Sequence, residues 1–233
     1  MKKNLIVVSL VLLALAVLCS CMINIDPYDP QPVKEKFTFS SIFKGPVKDK
    51  DGNITSYQFM CYVENNTGAA VENVEVEIDW KDPVGKLIFS DSVTIPRIEK
   101  DGMWPVGVIH KTDDEIEDLE GSTASIKYGK YAYDLGRYST NLFTYGDIYH
   151  PESGDASHAS GTVKNNNTYS VIDPAVYVVT EVGGKIVEYG MRKGDGILPS
   201  QGSYLFGVTL NPPAENPKTG TTYYFAVASR QSI

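Results

Sequence analysis

Tyrosine side chains are concentrated in one short stretch of the chain. Six of the 15 tyrosines fall between positions 128 and 149. An apolar ring with a polar tip suits the binding of sugars and proteins. Strand packing and a contact between domains are the alternative explanation of the same residues. The candidate ligand-binding tyrosines are Tyr128, Tyr131, Tyr133, Tyr138, Tyr145 and Tyr149.

Two segments combine residue types that bind metals. His150 and His158 bracket a polar loop that adds two carboxylates, and imidazole with carboxylate suits a transition metal. Ligands on a flexible loop without supporting hydrogen bonds make poor sites, so a solvated interdomain loop is preferred. The acidic run 113–120 lacks the alternation and central glycine of a calcium loop, so a solvated helix face is preferred there. We therefore expect no metal and no cofactor, and leave calcium at 113–120 open.

Candidate nucleophiles are few. Ser41 and Lys44 have the Ser-x-x-Lys spacing, and 218–220 read Lys-Thr-Gly, an order that resembles the motifs of penicillin-interacting enzymes. The serine of those enzymes opens a helix, whereas alternation around Ser41 predicts a strand. Cys61 should face inward together with Tyr57 and Phe59, as a small buried side chain. The sequence therefore favours a protein that is not an enzyme.

The amino terminus carries the most specific motif. Lys2 and Lys3 precede an uncharged apolar run from Leu5 to Leu18. This run is shorter than the about 20 residues of a membrane-spanning helix and fits the core of a secretory signal. The residues that follow it, Leu-Cys-Ser-Cys at 18–21, resemble the lipobox of prokaryotic lipoproteins. The resemblance implies that 1–20 is a signal peptide, and that Cys21 is lipidated and becomes the first residue.

A proline-rich tether is predicted at 21–35. Pro27, Pro30 and Pro32 fix their own φ angles and bias the preceding residues toward extended geometry. At about 3.1 Å per residue, such a segment spans up to about 40 Å. We therefore expect it to hold the rest of the chain away from a membrane.

The rest of the chain contains an internal repeat. Four segments recur in the same order after about 100 residues. The repeat predicts two copies of one domain, a first repeat at 36–135 and a second repeat at 136–233. The matching pairs are 63–67 with 164–168, 71–72 with 172–173, 85–88 with 184–187, and 101–108 with 201–208.

Each repeat reads as antiparallel β structure. Positions 74–80 alternate strictly, with Val74, Val76, Ile78 and Trp80 on one face and acids on the other. About seven short strands in about 100 residues, with glycine turns between them, predict an immunoglobulin-like sandwich. The chain is therefore expected to be all-β, with two tandem immunoglobulin-like sandwiches after the signal peptide and the tether.

The repeats also differ from each other. Thr112 and Glu115 have capping-box spacing, and Gly121 can end a helix, so a short helix is expected between the last strands of the first repeat. Prolines at the matching place in the second repeat forbid a helix there. Residues 175–179 are apolar on both faces, and the second face is expected to pack either on the first repeat or on a partner.

The motifs at 65–67, 85–86 and 102–108, with their second copies, resemble tandem FxLYD-type domains, which are Ig-like modules of bacterial and archaeal surface lipoproteins. That resemblance implies an extracytoplasmic location, on the cell membrane or outer membrane, and no known catalysis. The formal net charge of −8 argues against nucleic acid as a partner. The expected partners are a membrane, through the anchor, and an envelope protein or polysaccharide.

The function expected from these features is the presentation of two Ig-like domains by a lipid-anchored, non-enzymatic envelope protein, for binding or structural roles. The alternative is a surface receptor that binds carbohydrate or protein through the tyrosine-rich junction. An envelope hydrolase is a third and less favoured reading, because it would need a pocket that joins a nucleophile, a base and an orienting group.

Overall fold

The strands of the first repeat form two three-stranded antiparallel sheets. The computed structural model describes residues 34–49, 51–112, 119–132, 136–150, 158–211 and 220–231. Sheet I has the order β1, β2, β5, and sheet II has the order β4, β3, β6. The strands are β1 (Phe37–Lys48), β2 (Ile54–Asn65), β3 (Val71–Lys81), β4 (Leu87–Ile98), β5 (Met103–His110) and β6 (Thr123–Tyr131), preceded by a 3-10 turn at Lys34–Lys36.

The second repeat has the same topology with two short additions. Sheet III has the order β11, β10, β14, β7, with β12 also pairing with β10, and sheet IV has the order β13, β9, β8. Strands β8, β9 and β13 therefore correspond to β1, β2 and β5, while β11, β10 and β14 correspond to β4, β3 and β6. The strands are β7 (Tyr138–Ser139), β8 (Phe143–Tyr149), β9 (His158–Asn165), β10 (Val171–Val182), β11 (Lys185–Lys193), β12 (Ile197–Leu198), β13 (Ser203–Thr209) and β14 (Thr221–Arg230).

The chain is all-β and folds as sandwiches, as the alternation predicts. Val74, Val76, Ile78 and Trp80 are fully buried in β3, and the acids between them are partly exposed. Sheets I and II enclose one core, and sheets III and IV enclose a second. Each repeat has six principal strands among its described residues, against about seven expected.

One asparagine per repeat ties the two sheets together. The side-chain amide of Asn65 donates to the carbonyls of Ala69, Ile98 and Glu99 at 2.7, 3.3 and 3.0 Å. Asn165 donates in the same way to three carbonyls displaced by 100 positions, those of Tyr169, Leu198 and Pro199. One hydrogen-bond arrangement is therefore built twice, and Asn165 is the counterpart of Asn65. The sequence match of 63–67 with 164–168, which sets Asn65 opposite Asn166, is wrong by one residue, because the structural repeat at this point is 100 residues long.

The glycine turns expected from the sequence lie between strands. Gly52 links β1 to β2, Gly85 links β3 to β4, and Gly184 links β10 to β11, all with positive φ. Positive φ favours glycine because a Cβ is strained there. Two residues other than glycine also have positive φ at equivalent turns. Asp101 precedes β5 and has a φ of 54°, and Gln201 precedes β13 and has a φ of 60°.

Several sequence predictions lie outside the described residues. They are the signal peptide, Cys21 and most of the tether, as well as Tyr133 and most of the helix expected after Thr112. The boundary between 135 and 136 remains a prediction. The described strands belong to one compact unit, Gln31–Ile233.

Candidate functional site

The predicted tyrosines are distributed over three sheets. Tyr128 and Tyr131 lie on β6 of sheet II, Tyr138 on β7 of sheet III, and Tyr145 and Tyr149 on β8 of sheet IV. Their closeness in sequence reflects successive strands that enter different sheets. The structure therefore does not place these five on one sheet face.

Only two of those tyrosines are strongly exposed. Tyr149 is 63% exposed and Tyr128 is 38% exposed. Tyr131 and Tyr138 pack against the first core. Burial raises the pKa of Tyr145, whose ring centre is 5.6 Å from that of Tyr224. Tyr128 and Tyr149 are thus the two candidates whose rings a ligand reaches most readily.

An aspartate and a histidine form a pair that sequence reasoning missed. Asp91 Oδ2 lies 2.8 Å from His110 Nδ1 and accepts a hydrogen bond of 2.8 Å from Trp80 Nε1. The ring of Phe89 stacks on His110 with centroids 3.5 Å apart. A carboxylate bound to Nδ1 sets the tautomer, so that Nε2 carries the lone pair when the ring is neutral. The pair could act as a base or a single metal ligand.

The alternation of residues along β4 could have indicated the Asp91–His110 pair from the sequence. Phe89, Asp91 and Val93 alternate with exposed serines and a threonine, so Asp91 faces inward. An inward carboxylate requires hydrogen-bond partners. Among the described residues, no three or more His, Cys, Asp or Glu side chains are placed to hold a metal ion.

The two bracketing histidines have different surroundings. His150 Nε2 lies 3.5 Å from Glu188 Oε2, and Glu188 is only 2% exposed. His158 begins β9 and is exposed. The loop 151–157 between them, with its carboxylates, lies outside the described residues. Of the two histidines, the structure thus pairs His150 with a carboxylate on strand β11, that of Glu188.

The nucleophile candidates have structural contacts. Ser41 lies within β1, as the alternation predicts, and the Lys44 ammonium donates to the carbonyls of Glu120 and Ser122. Cys61 is fully buried beside Tyr57 and Phe59, as predicted. Burial raises the pKa of its thiol to about 12, so the reactive thiolate is suppressed at neutral pH.

A buried ionic network fixes the segment that joins the repeats. Arg97 binds Glu72 at 3.0 Å and holds Glu99 with two hydrogen bonds, of 2.8 and 3.1 Å. The Tyr138 amide donates to Glu72, and the Thr140 hydroxyl donates to Glu99. The start of the second repeat is therefore held by charged groups of the first.

The two repeats pack against each other through apolar side chains. The Trp104 ring lies 5.2 Å from Tyr177 and 5.7 Å from Phe225, centre to centre. Met60 and Tyr62 on the outer face of sheet I pack with Val179, Ile186, Phe43 and Tyr189. Of the two alternatives for the second apolar face of 175–179, the structure shows packing on the first repeat.

A small pocket lies at this junction. It is lined by Gln58, Met60, Gly107, Val108, Ile109, Tyr189 and Asn211. Gln58 is 1% exposed, and neither atom of its amide has a hydrogen-bond partner in the protein. An amide in that state costs stability unless a water or ligand group satisfies it.

Comparisons with known proteins give only distant matches. No family model and no curated protein matches the chain. Red sea bream transglutaminase is similar over 79% of this chain and 30% of its own, at 8% identity and a TM-score of 0.24. The C-terminal globular domain of an oligosaccharyltransferase from Pyrococcus abyssi is similar over 84% of this chain and 47% of its own, at 11% identity and a TM-score of 0.23. The chain thus spans less than half the length of either protein.

The part of the chain that the structure describes contains no helix with the length and apolar character needed to cross a bilayer.

Proposed function

We propose that this chain is a lipid-anchored, non-enzymatic protein of the cell envelope that presents two Ig-like sandwiches for binding or structural roles. The lipobox-like residues at 18–21 support the anchor, and the packing between the repeats supports the presentation of the two sandwiches as a pair. Met60 and Tyr62 are each 2% exposed because the second repeat covers them. Such a contact makes the two sandwiches one stiff body rather than two independently moving modules.

The anchor is supported by the sequence at 18–21. Lipidation of Cys21 would fix the chain to the cell membrane or the outer membrane, outside the cytoplasm. Each buried CH2 of an acyl chain contributes about 0.8 kcal/mol, and two or three chains are needed for stable attachment. An acidic body gains nothing from anionic headgroups, so the acyl chains would supply the attachment.

The surroundings of the reactive groups support a role without catalysis. Asp91 is shared between His110 and Trp80, Lys44 is bound to backbone carbonyls, and Cys61 is buried. Each of these groups stabilises the sandwich where it lies. On its repeated motifs, which resemble FxLYD-type domains, we propose that the chain is one of the FxLYD-type envelope lipoproteins.

The anchor is tested by two cysteine variants of the full chain. Cys21→Ala should move the protein from the membrane fraction to the soluble fraction. Cys19→Ala is the matched control, since a small residue at that position suits the lipobox, and it should stay with the membrane. A Cys21→Ala protein that partitions with membranes as tightly as the parent would contradict the proposal.

A further inference from the structure

Three asparagines of the chain stand in the Asn-x-Thr pattern that accepts N-linked glycans. They are Asn53, Asn65 and Asn166, each with a threonine two positions later. The pattern is a property of the sequence, and it marks a modification site only where the folded chain exposes it. The structure separates the three asparagines by their burial and their hydrogen bonds.

The side-chain amide of Asn65 is out of reach of an enzyme. Asn65 is fully buried, and its amide nitrogen lies 2.7–3.3 Å from the three backbone carbonyls that it ties together. A glycan on that nitrogen would displace these hydrogen bonds and open the core of the first repeat. Asn65 therefore carries no glycan in the folded protein.

Asn166 lies in the turn after β9 and is held at both its backbone and its side chain. Its backbone amide donates to the Leu142 carbonyl at 2.8 Å, and its side-chain amide donates to the Thr144 hydroxyl at 3.0 Å. The next residue, Asn167, is 1% exposed. An enzyme that modifies Asn166 would have to pull this turn, with its buried neighbour, away from the sheet.

Asn53 has the opposite surroundings, at the hairpin that joins β1 to β2. Asn53 and Thr55 are both exposed. A Cβ at the preceding Gly52 would have no atom within 4 Å, so the space beside the acceptor is open. The Asn53 side-chain amide donates to Asp49 Oδ2 at 3.0 Å, and the Thr55 hydroxyl donates to the Val47 carbonyl at 3.2 Å. Both bonds are at the surface, where water replaces them at little cost.

The residue two positions before the acceptor also distinguishes Asn53. That residue is Asp51 for Asn53, whereas it is apolar for Asn65 and basic for Asn166. An acid at this position belongs to the longer acceptor sequence of bacterial N-glycosylation, and the Asn-x-Thr pattern alone suffices for the archaeal reaction. Asn53 is therefore the one of the three that combines exposure with both forms of the acceptor sequence.

We propose that Asn53 is the N-glycosylation site of this chain, an inference that rests on the proposed location outside the cytoplasm. The donor is a lipid-linked oligosaccharide, and an oligosaccharyltransferase of the host catalyses the transfer. Asn53 Nδ2 forms a bond to C1 of the first sugar. The bond between that carbon and the phosphate oxygen of the lipid carrier breaks, the lipid phosphate leaves, and the amide releases one proton.

The place of Asn53 in the fold suits a glycan on a presented protein. Strand β1 begins at Phe37, directly after the predicted tether, and runs for 12 residues to Lys48, near the acceptor. At about 3.3 Å per residue, Asn53 lies about 40 Å from the start of the strand. A glycan on Asn53 would therefore extend from the end of the first repeat that lies opposite the start of β1.

The test is mass spectrometry of peptides from the full chain, purified from its native cells. The peptide that contains Asn53 should carry a glycan. The peptides that contain Asn65 and Asn166 should have their unmodified masses.

Three variants of the full chain, produced in the same cells, assign the site. Asn53→Gln removes the acceptor nitrogen and Thr55→Ala removes the hydroxyl of the pattern, so both should lose the glycan mass. Thr55→Ser is the matched control, since it keeps a hydroxyl and should keep the glycan. Both positions are exposed, so the unfolding curves of the three variants should lie close to that of the parent and show that each is folded.

Two results would overturn the inference. The first is a parent whose Asn53 peptide is unmodified. The second is a glycan mass that both Asn53→Gln and Thr55→Ala retain. The amino-terminal peptide of the same digest is read separately: a lipidated Cys21 beside an unmodified Asn53 contradicts this inference alone, and an unprocessed amino terminus contradicts the anchor.

Discussion

The ring of Tyr189 lies against the backbone of Gly107, so closely that a Cβ at that glycine would overlap the ring. Gly107 is on β5 of the first repeat and Tyr189 is on β11 of the second. Burial raises the pKa of the Tyr189 phenol, although a hydrogen bond from the backbone of Gly107 acts in the opposite direction. This contact joins the repeats at a position where only glycine fits.

Gly107→Ala should therefore destabilise the protein. Overfilling a packed contact costs about 1–3 kcal/mol, because neighbours must leave their preferred positions. Denaturant unfolding followed by tryptophan fluorescence measures the loss, since Trp104 lies at the same junction.

Gly207→Ala is the matched control for that measurement. Gly207 occupies the equivalent position on β13 and is exposed. A Cβ added to Gly207 would lie 3.3 Å from its nearest neighbour, a ring carbon of His158, and so would not overlap it as a Cβ at Gly107 would overlap Tyr189. Equal losses of stability in the two variants would show that the Tyr189 contact does not hold the repeats together.

Asn65→Ala and Asn165→Ala should have similar effects. Each removes a buried amide that serves three backbone carbonyls, and buried groups left unsatisfied cost about 1–3 kcal/mol. Urea unfolding of each variant measures the change in free energy. Asn66→Ala, at an exposed site with one bond to Thr38, should change it by less than about 0.5 kcal/mol. A large loss in only one of the two repeats would contradict the equivalence of the two hydrogen-bond arrangements.

Stability should fall in acid because of Glu99. Burial raises the pKa of this carboxyl, but hydrogen bonds from Arg97 and Thr140 and the nearby positive charges outweigh burial and lower the pKa below its ordinary 4.5. A carboxyl with a lowered folded pKa stabilises the protein above its unfolded pKa, and that contribution is lost as the pH falls through the folded value. Unfolding free energies measured from pH 6 down to about pH 3 should decline.

Glu99→Gln is the control for the acid effect. The amide removes the titrating group and should flatten part of the decline below about pH 4.5. An identical pH profile for parent and variant would show that Glu99 makes no net contribution.

The Cys61 thiol should be inert in the folded protein. Its pKa of about 12 and its complete burial leave almost no accessible thiolate at pH 8. A thiol-specific colorimetric reagent should react only after denaturant is added, and then with one thiol per mature chain if Cys21 carries the proposed lipid. Rapid reaction without denaturant would contradict the burial of β2.

The alternation of β3 and the existence of a repeat could be read from the sequence because both depend on local patterns, although the match of 63–67 with 164–168 set Asn65 opposite Asn166 rather than Asn165. Strand periodicity identifies which side of β3 is buried, and a turn motif repeats when its hydrogen bonds repeat. The packing of Met60 and Tyr62 could not be read in this way. A strand that is buried on both faces lacks alternation, and the cover comes from β10 and β11, more than 100 residues away.

The candidate tyrosines show a second limit of prediction from the sequence. Tyr128, Tyr138 and Tyr149 are near in sequence, but the strands β6, β7 and β8 enter three sheets. The pairing of Asp91 with His110 required the register of β4 against β3, since that register points the carboxylate at Trp80. Proximity across sheets is fixed by topology and register, which a single local pattern does not contain.

We propose that a lipid on Cys21 fastens a stiff pair of sandwiches to a membrane, and mass spectrometry of the mature amino-terminal peptide detects that lipid itself. We expect residues 1–20 to be absent and Cys21 to be the first residue, with a diacylglyceryl group on its sulfur. An unmodified Cys21, or a mature chain that begins at another residue, would contradict it.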